Sequence, residues 1–550
     1  MPNARSNVEM VDEYDAIVVG AGIAGLYSLH TLRERGFSVR VFEAGDGVGG
    51  TWYWNTYPGC RVDVESLEYS YSFSDELQQE WEWTERWPSQ PEVQRYLNHV
   101  ADRFDLRRDI QLSTRVVAAH FDEEQARWTV TTDDGRVHTA QHLVMASGTI
   151  SAKKDPRQDF EGLDDFKGEW HATSGFPTEG VDFSGKRVAV IGTGSTGVQI
   201  IPLVAEQAEH LAVLQRTPAF TLPARNRPMD PDFQKALKAR YPEHRAVAKT
   251  MPFGVPVELP DRGLFDDSPE NVQRRLEACW EEGGVAPLMN LYTDVLVNEK
   301  ANDVVAEFVR QKIRSIVDDP QVAELLCPNT YPFGAKRPCV GTDYYETFNR
   351  DDVSLVSVRE NPIDRFTEKG VRLRDGQELE FDMVIFAIGF DAITGALHNI
   401  DLRGRGGLTL KEEWAKGPRA YLGLLAADFP NMYILTGPGS VSVLANMYTS
   451  IEQHVDWVAD LLVDMRERGR ATVVSTREAQ EQWMAHVAEV GNATLFPRAD
   501  SWYVGANVEG KPRGLMLYVA GLGVYRGICD EVAAKGYEGI EFQSDPVGAV

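Results

Sequence analysis

Two stretches of this chain repeat one construction, and the repetition leaves few folds open. YDAIVVGAGIAGLYSLHTLRERGFSVRVFEA, from Tyr14, reads as a buried strand, a glycine turn, an amphipathic helix and a second strand. KRVAVIGTGSTGVQIIPLVAEQAEHLAVLQRTP, from Lys186, has the same order. Glycines fall at the G-x-G-x-x-G spacing directly after the strand, as Gly20, Gly22 and Gly25, then as Gly192, Gly194 and Gly197. The first glycine permits a tight turn, the second lets backbone approach a pyrophosphate, and the third lets helix and strand pack closely. The expected fold class is α/β, with two Rossmann-like dinucleotide-binding domains in one chain.

The second strands end differently. Glu43 closes the first, where a carboxylate can hold both hydroxyls of a ribose. Gln215-Arg216-Thr217 closes the second with no acid; Arg216 would pair with a 2′-phosphate that an acid would repel. The first site therefore suits FAD and the second NADPH. Five scattered cysteines, with no C-x-x-C pair, argue against a disulfide reductase of similar layout. Electrons passed from NADPH to FAD need another acceptor, and dioxygen is the obvious sink for a flavin.

Composition removes other classes. A net charge of −27 argues against nucleic acid and anionic membranes as partners. The polar opening MPNARSNVEMVDEYD lacks the apolar core of a signal peptide, and no run suits a spanning helix. Free thiols suit a reducing compartment, so a cytoplasmic protein is expected. Residues 1–150 are read as the first part of the FAD domain and 151–225 as the first part of the NADP domain. DFQKALKARY, SPENVQRRLEACWEE and NDVVAEFVRQKIRSIVDD carry helical periodicity, so 226–330 is read as a helical insertion. Residues 331–390 then complete the NADP domain, and 391–550 return to the FAD domain.

GGTWYWNTYPGCRVD, Gly49 to Asp63, is no alternating core strand, because it opens on paired glycines. It matches G-G-x-W-x-x-x-x-Y-P-G-x-x-x-D at every fixed position. With both glycine units, FKGEWHATSGFP (Phe166 to Pro177), GAKRP (Gly334 to Pro338), TGPGSVSVLANM (Thr436 to Met447) and SWYVGANVEGKPR (Ser501 to Arg513), the chain resembles the type I Baeyer–Villiger monooxygenases almost throughout. That resemblance implies a flavin C4a-peroxide that inserts one oxygen beside a ketone carbonyl, giving an ester or lactone, with sulfide oxidation as a side activity. One segment departs: F-x-G-x-x-x-H-x-x-x-W-P has Ala172 at the histidine position and Phe176 at the tryptophan position. His171, one residue early, is read as a packed or exposed linker histidine. Ile388 stands where relatives usually carry threonine.

A negatively charged oxygen donor needs a fixed cation, and an arginine keeps its proton where a buried lysine could lose it. Arg337 is the expected catalytic cation and Asp63 its partner, which orients it and offsets the cost of burying it. Gly49, Gly50, Thr51, Trp52, Tyr53 and Trp54 are expected to form a wall beside the isoalloxazine. The resemblance further implies flavin contacts from Tyr69, Val116 and Met447, and a ketone pocket shaped by residues 440–443. For NADP it implies a phosphate cradle of Thr193, Gly194, Ser195, Thr196, Gly197 and Gln199. Arg216, Thr217 and Lys336 would meet the 2′-phosphate, and Trp502 would close over the cofactor from a mobile loop.

The expected substrate is a cyclic, aryl or steroidal ketone together with dioxygen, with no obligatory protein partner. Two other readings stay open. A nitrogen- or sulfur-hydroxylating flavin monooxygenase shares both glycine motifs but has no need of the Arg337–Asp63 pair. An uncoupled NADPH oxidase is kept open by Ala172 and Phe176.

Overall fold

Strand Met10–Val19 lies at the heart of the first sheet because its second half is apolar on both faces: Ala16, Ile17 and Val18 are fully buried. The computed structural model describes residues 10–544; residues 1–9, the greater part of the polar opening segment, and 545–550 lie outside them. Parallel strands Val39–Phe42 and Val137–Met145 flank the central one, with Ile17 opposite both Arg40 and Leu143. Beyond them Arg127–Thr132 and Val116–Asp122 run antiparallel as a hairpin extension. Two short strands from late in the chain, Asp401–Arg403 and Met432–Ile434, join this same sheet.

The second sheet is wholly parallel. Its order is Val353–Ser357, His210–Gln215, Arg187–Ile191, Met383–Phe386 and Glu169–Ala172. Glycine makes both strand-to-helix turns possible. A Cβ on Gly25 would lie 1.8 Å from the Gly20 carbonyl oxygen, and one on Gly197 would lie 2.2 Å from that of Gly192.

Chain crosses between the sheets twice, and the two crossings run side by side. The amide of Asp391 donates to Ala152 O at 3.0 Å, that of Ile393 to Thr149 O at 2.6 Å. Helix Met447–Glu467 packs on the first glycine helix, Ile23–Glu34, where Tyr27 Oη donates to Asp456 at 2.8 Å.

Between Thr221–Pro223 and Cys339–Gly341, themselves a three-residue parallel pair, the chain is mostly helical. Helices Pro231–Lys238, Pro269–Glu282 and Glu299–Ile316 each start at a side chain that caps backbone amides: Asp230, Ser268 and Asn298. One fully folded-in guanidinium docks this region on the first sheet's flank. Arg245 donates to Leu67 O (3.0 Å), Glu68 O (3.1 Å), Ser70 Oγ (2.7 Å) and Gln78 Oε1 (3.3 Å). Arg245→Met would leave Ser70 Oγ and Gln78 Oε1 without their donor, while Leu67 O keeps Tyr241 Oη and Glu68 O keeps Asn446 Nδ2, at a cost of roughly 3 kcal/mol. The expected outcome is a lower thermal midpoint and faster limited proteolysis within residues 241–330, read by mass spectrometry.

Candidate active site

Asp63 and Arg337 are 274 residues apart in sequence and meet in space, Nε to Oδ2 at 2.6 Å. Asp63 arrives at the end of the Gly49–Asp63 segment; Arg337 arrives just ahead of strand Cys339–Gly341. Nη1 of the arginine donates to Val443 O at 2.7 Å, so one edge of the guanidinium is fixed by an acid and another by a carbonyl. Tyr503, buried, stands against the same group. The Nη2 edge is bonded neither to the acid nor to the Val443 carbonyl, and Tyr503 is the described side chain that stands against what remains of the guanidinium. Although the pair lies deep in the chain, 27% of the Arg337 side chain and 25% of Asp63 remain accessible. Burial disfavours the Asp63 carboxylate, but the charge and hydrogen bond of Arg337 outweigh it and hold its pKa below the usual value. Burial likewise opposes the arginine charge, and Asp63 overcomes that to raise its pKa further. Burial pushes the Tyr503 phenol up to about 12, with Arg337 opposing.

The first glycine site is a narrow cleft between two turns. A Cβ on Gly50 would lie 2.8 Å from Gly22 Cα, and one on Gly22 would lie 3.2 Å from Gly50 Cα. Helix Ile23–Glu34 starts there without a side-chain cap and without an acid in its first turn, an arrangement that suits a pyrophosphate. Glu43 is buried beside it, its carboxylate accepting from Ala21 N (2.7 Å) and Gly45 N (2.8 Å). These residues fit FAD.

The aromatic run does not stand as one wall. Helix Thr51–Trp54 turns its three rings in different directions. Trp52 is buried and donates to Tyr69 Oη at 3.2 Å, with the rings edge to face. Tyr53 instead packs over Gly45 and Gly47, its hydroxyl on Asp46, close to Glu43. Trp54 lies under the ammonium of Lys153, 4.7 Å from the ring centre. Gly49 and Gly50 serve the phosphate turn, so the expectation of a single aromatic wall is corrected. Tyr69 packs on Tyr448, whose neighbour Met447 starts helix Met447–Glu467. Val116 opens its strand two residues after Thr114, whose amide bonds Glu43 O.

At the second glycine site, helix Ser195–Ala205 also begins uncapped, with no acid in its first turn. Here no protein atom lies within 4 Å of a Cβ built on Gly194, so this turn is more open than the first. Thr193 Oγ1 bonds Thr217 O at 3.1 Å, and Ser195 Oγ lies 3.5 Å from Cys339 Sγ. Thr196 follows in the same turn. Gln199 departs from the expected phosphate cradle: its amide oxygen accepts from Tyr57 Oη (2.7 Å) and its amide nitrogen donates to Arg61 O (3.0 Å). It therefore bolts this helix to the Gly49–Asp63 segment. Gly59 allows that approach, since a Cβ there would lie 2.4 Å from Gln199 O.

Arg216 is exposed at its strand end, and Lys336 Nζ lies 4.9 Å from the Tyr331 ring. Burial, then the like charges of Arg216 and Arg359, lower the Lys336 pKa, with Asp500 opposing. Arg359 was not apparent in the sequence. It follows strand Val353–Ser357, which pairs with the strand carrying Arg216, and Val358 N bonds Gln215 O at 2.9 Å. Arg216 and Arg359, just past the carboxyl ends of two paired parallel strands, with Lys336 beside them, fit the phosphate of NADP.

Trp502 is half-buried against Tyr503, ring centres 4.6 Å apart. Its loop is held to the crossings, with Asn507 Nδ2 on Phe390 O (2.7 Å) and Lys511 Nζ on Asp391 (2.6 Å) and Ala392 O (2.7 Å). Ala172 ends a sheet strand and Phe176 is buried, its carbonyl accepting from Thr56 Oγ1 at 2.9 Å. His171 is packed 5.6 Å from the Phe176 ring, and burial lowers its pKa. All five cysteines are buried and unpaired with one another. Among the described residues no helix is long and apolar enough to cross a membrane.

Comparisons with known proteins place nearly the whole chain among flavin-binding monooxygenases. Residues 14–236 match the flavin-binding monooxygenase-like family model. The chain is 43% identical over 527 residues to an acetone monooxygenase (methyl acetate-forming) of Gordonia sp. strain TY-5, covering 96% of this chain and 98% of that one. It is 44% identical to a Baeyer–Villiger monooxygenase of Pseudooceanicola batsensis, covering 96% and 95%. A solved oxidised steroid monooxygenase bound to NADP superposes with a TM-score of 0.92 at 48% identity, covering 97% and 100%. At 41% identity, covering 98% of each chain, a phenazine N-monooxygenase of Lysobacter antibioticus is also similar.

The lowered pKa of Asp63 fixes a sign. The pair stabilises the fold fully above the carboxyl's ordinary value, about 3.9, and that contribution is lost as pH falls through the lowered one. Asp63→Asn strands the guanidinium, at a cost of roughly 3 kcal/mol near neutrality, the low end for a pair this accessible. The gap in thermal midpoint between native protein and variant should narrow from pH 6 to pH 3. A gap that stays constant would mean that Asp63 is not ionised.

Proposed function

This chain belongs to the flavin-binding monooxygenase-like family, as one of its FAD- and NADPH-dependent Baeyer–Villiger monooxygenases, and we propose that Arg337 is the cation on which its oxygen insertion depends. The observation that carries this reading is the Asp63–Arg337 pair, with a guanidinium edge bonded neither to the acid nor to the Val443 carbonyl. Bound FAD supplies the activation of dioxygen, and NADPH supplies the electrons.

The chain's own contribution is electrostatic. Asp63 keeps the guanidinium in one orientation, and Val443 O keeps it from swinging away. Negative charge develops on oxygen as a ketone carbon is attacked, and a charge already in place stabilises it without reorganising. Arg337 holds its proton throughout, so the Nη2 edge offers hydrogen bonds and positive charge at any working pH. Buried Tyr503 covers one side of the guanidinium and lowers the local dielectric there, which strengthens both effects. The substrate is a small ketone; we favour a cyclic, aryl or steroidal one. The buried thiols favour the cytoplasm.

Arg337→Ala should leave reduction of the bound flavin by NADPH largely intact while ester or lactone formation falls about a hundred- to a thousandfold. Stopped-flow absorbance follows the first and mass spectrometry the second; undiminished product would remove Arg337 from the mechanism. Nitrogen oxygenation has one observation in its favour, the similar phenazine N-monooxygenase. The same variant separates the two: an N-oxide formed from a heteroaromatic amine at undiminished rate would show a second activity that does not use Arg337.

Arg359 is proposed as the third cation for the 2′-phosphate, beside Arg216 and Lys336. Arg359→Ala should raise KM for NADPH about tenfold, one charge-assisted contact, and leave kcat and the KM for NADH unchanged. Equal changes with both nucleotides would assign Arg359 to structure alone.

A further inference from the structure

Helix Met447–Glu467 carries His454, which is fully buried and has no role in the site described above. Its Nδ1 accepts from the amide of Thr436 at 3.0 Å, which puts the ring proton on Nε2. Nε2 then donates to Tyr525 Oη at 2.9 Å, and Tyr525 Oη donates to Leu422 O at 2.5 Å. The chain of bonds runs in one direction and satisfies every partner in it. Burial lowers the His454 pKa to about 3, so the ring stays neutral at working pH and this tautomer persists.

Both ends of the chain of bonds grip strained backbone. Thr436 has φ 57° and Leu422 has φ 55°, left-handed conformations that branched side chains adopt only when their surroundings impose them. The two segments interlock directly. A Cβ on Gly437 would lie 2.5 Å from Gly423 O, and one on Gly423 would lie 2.6 Å from Ser440 N. From Thr436 the loop runs through Ser440 and Ser442, the latter also left-handed at φ 48°, to Val443, whose carbonyl holds Arg337.

We infer that His454 is a positioning residue for oxygen insertion. As a neutral imidazole it braces Thr436 and Leu422 together, and the loop they anchor holds the Val443 carbonyl on Arg337. This rests on the assignment of Arg337 as the catalytic cation.

The test uses the flavin-loaded enzyme in three variants: His454→Phe, His454→Asn and Tyr525→Phe. The phenylalanine at 454 fills the space and breaks both bonds. The asparagine keeps an acceptor for Thr436 N. Tyr525→Phe breaks the far end only, and still decides the matter if substitution at 454 prevents folding. For His454→Phe and Tyr525→Phe the expected result is an unchanged rate of flavin reduction and unchanged KM for NADPH. Ketone kcat falls about tenfold or more, and peroxide released per NADPH rises. His454→Asn recovers part of the ketone turnover. Proportional loss in flavin reduction and ketone turnover would overturn the inference in favour of a purely structural role, and unchanged ketone coupling would overturn it outright. Arg337→Ala run alongside keeps the two claims apart. If that variant still makes product, the premise fails; if it does not while the 454 and 525 variants behave as native, only the role of His454 fails.

Discussion

A positive charge placed deep between two halves of a chain is tolerated only beside its counter-charge, and that requirement organises this molecule. Asp63 belongs to the segment that closes the first glycine site, and Arg337 to the stretch that re-enters the second. Neither half contains a complete site. Each nucleotide domain must therefore be folded and docked before the guanidinium has both its acid and its carbonyl. The cost of burying the pair is large and is recovered only in this geometry, so the docked arrangement is also the one in which the charge is tolerable.

The docking itself is done by ordinary contacts placed where they matter. Gln199 sits within the helix that begins the second glycine site, yet both ends of its amide are committed to Tyr57 and Arg61. A shift of that helix thus pulls on the same fifteen-residue segment that ends in Asp63. On the other side, Lys511 and Asn507 tie the Trp502–Tyr503 loop to the paired crossings between the sheets. Short series of hydrogen bonds thus reach from the second glycine helix to the segment that ends in Asp63, and from the Trp502–Tyr503 loop to the crossings.

Much of this was legible in the sequence, for identifiable reasons. Strands buried on both faces show as unbroken apolar runs such as AIVV, and the glycine spacing is dictated by contacts too close for any Cβ. Helices of the 226–330 region announce themselves through Asp230, Ser268 and Asn298 ahead of an apolar period. Asp63 and Arg337 were reachable through motif resemblance, since no local pattern links residues 274 apart. Other features leave no local mark. Tyr53 parts company with Trp52 because a helical turn sends neighbours to different faces. Arg359 becomes visible only when its strand is known to lie beside the one bearing Arg216. Thr436, Leu422 and Ser442 adopt glycine-like backbone without being glycine, so tertiary bonds, and no residue type, impose it.

The parallel pairing of Thr221–Pro223 with Cys339–Gly341 brings the two ends of the helical region together at a neck three residues wide. Arg337 stands two residues outside Cys339, on the far side of that neck from the sheet. Helices above such a pinch can lengthen, shorten or be exchanged between relatives while the neck keeps its shape. Arg337 is then placed by the neck and by Asp63 together.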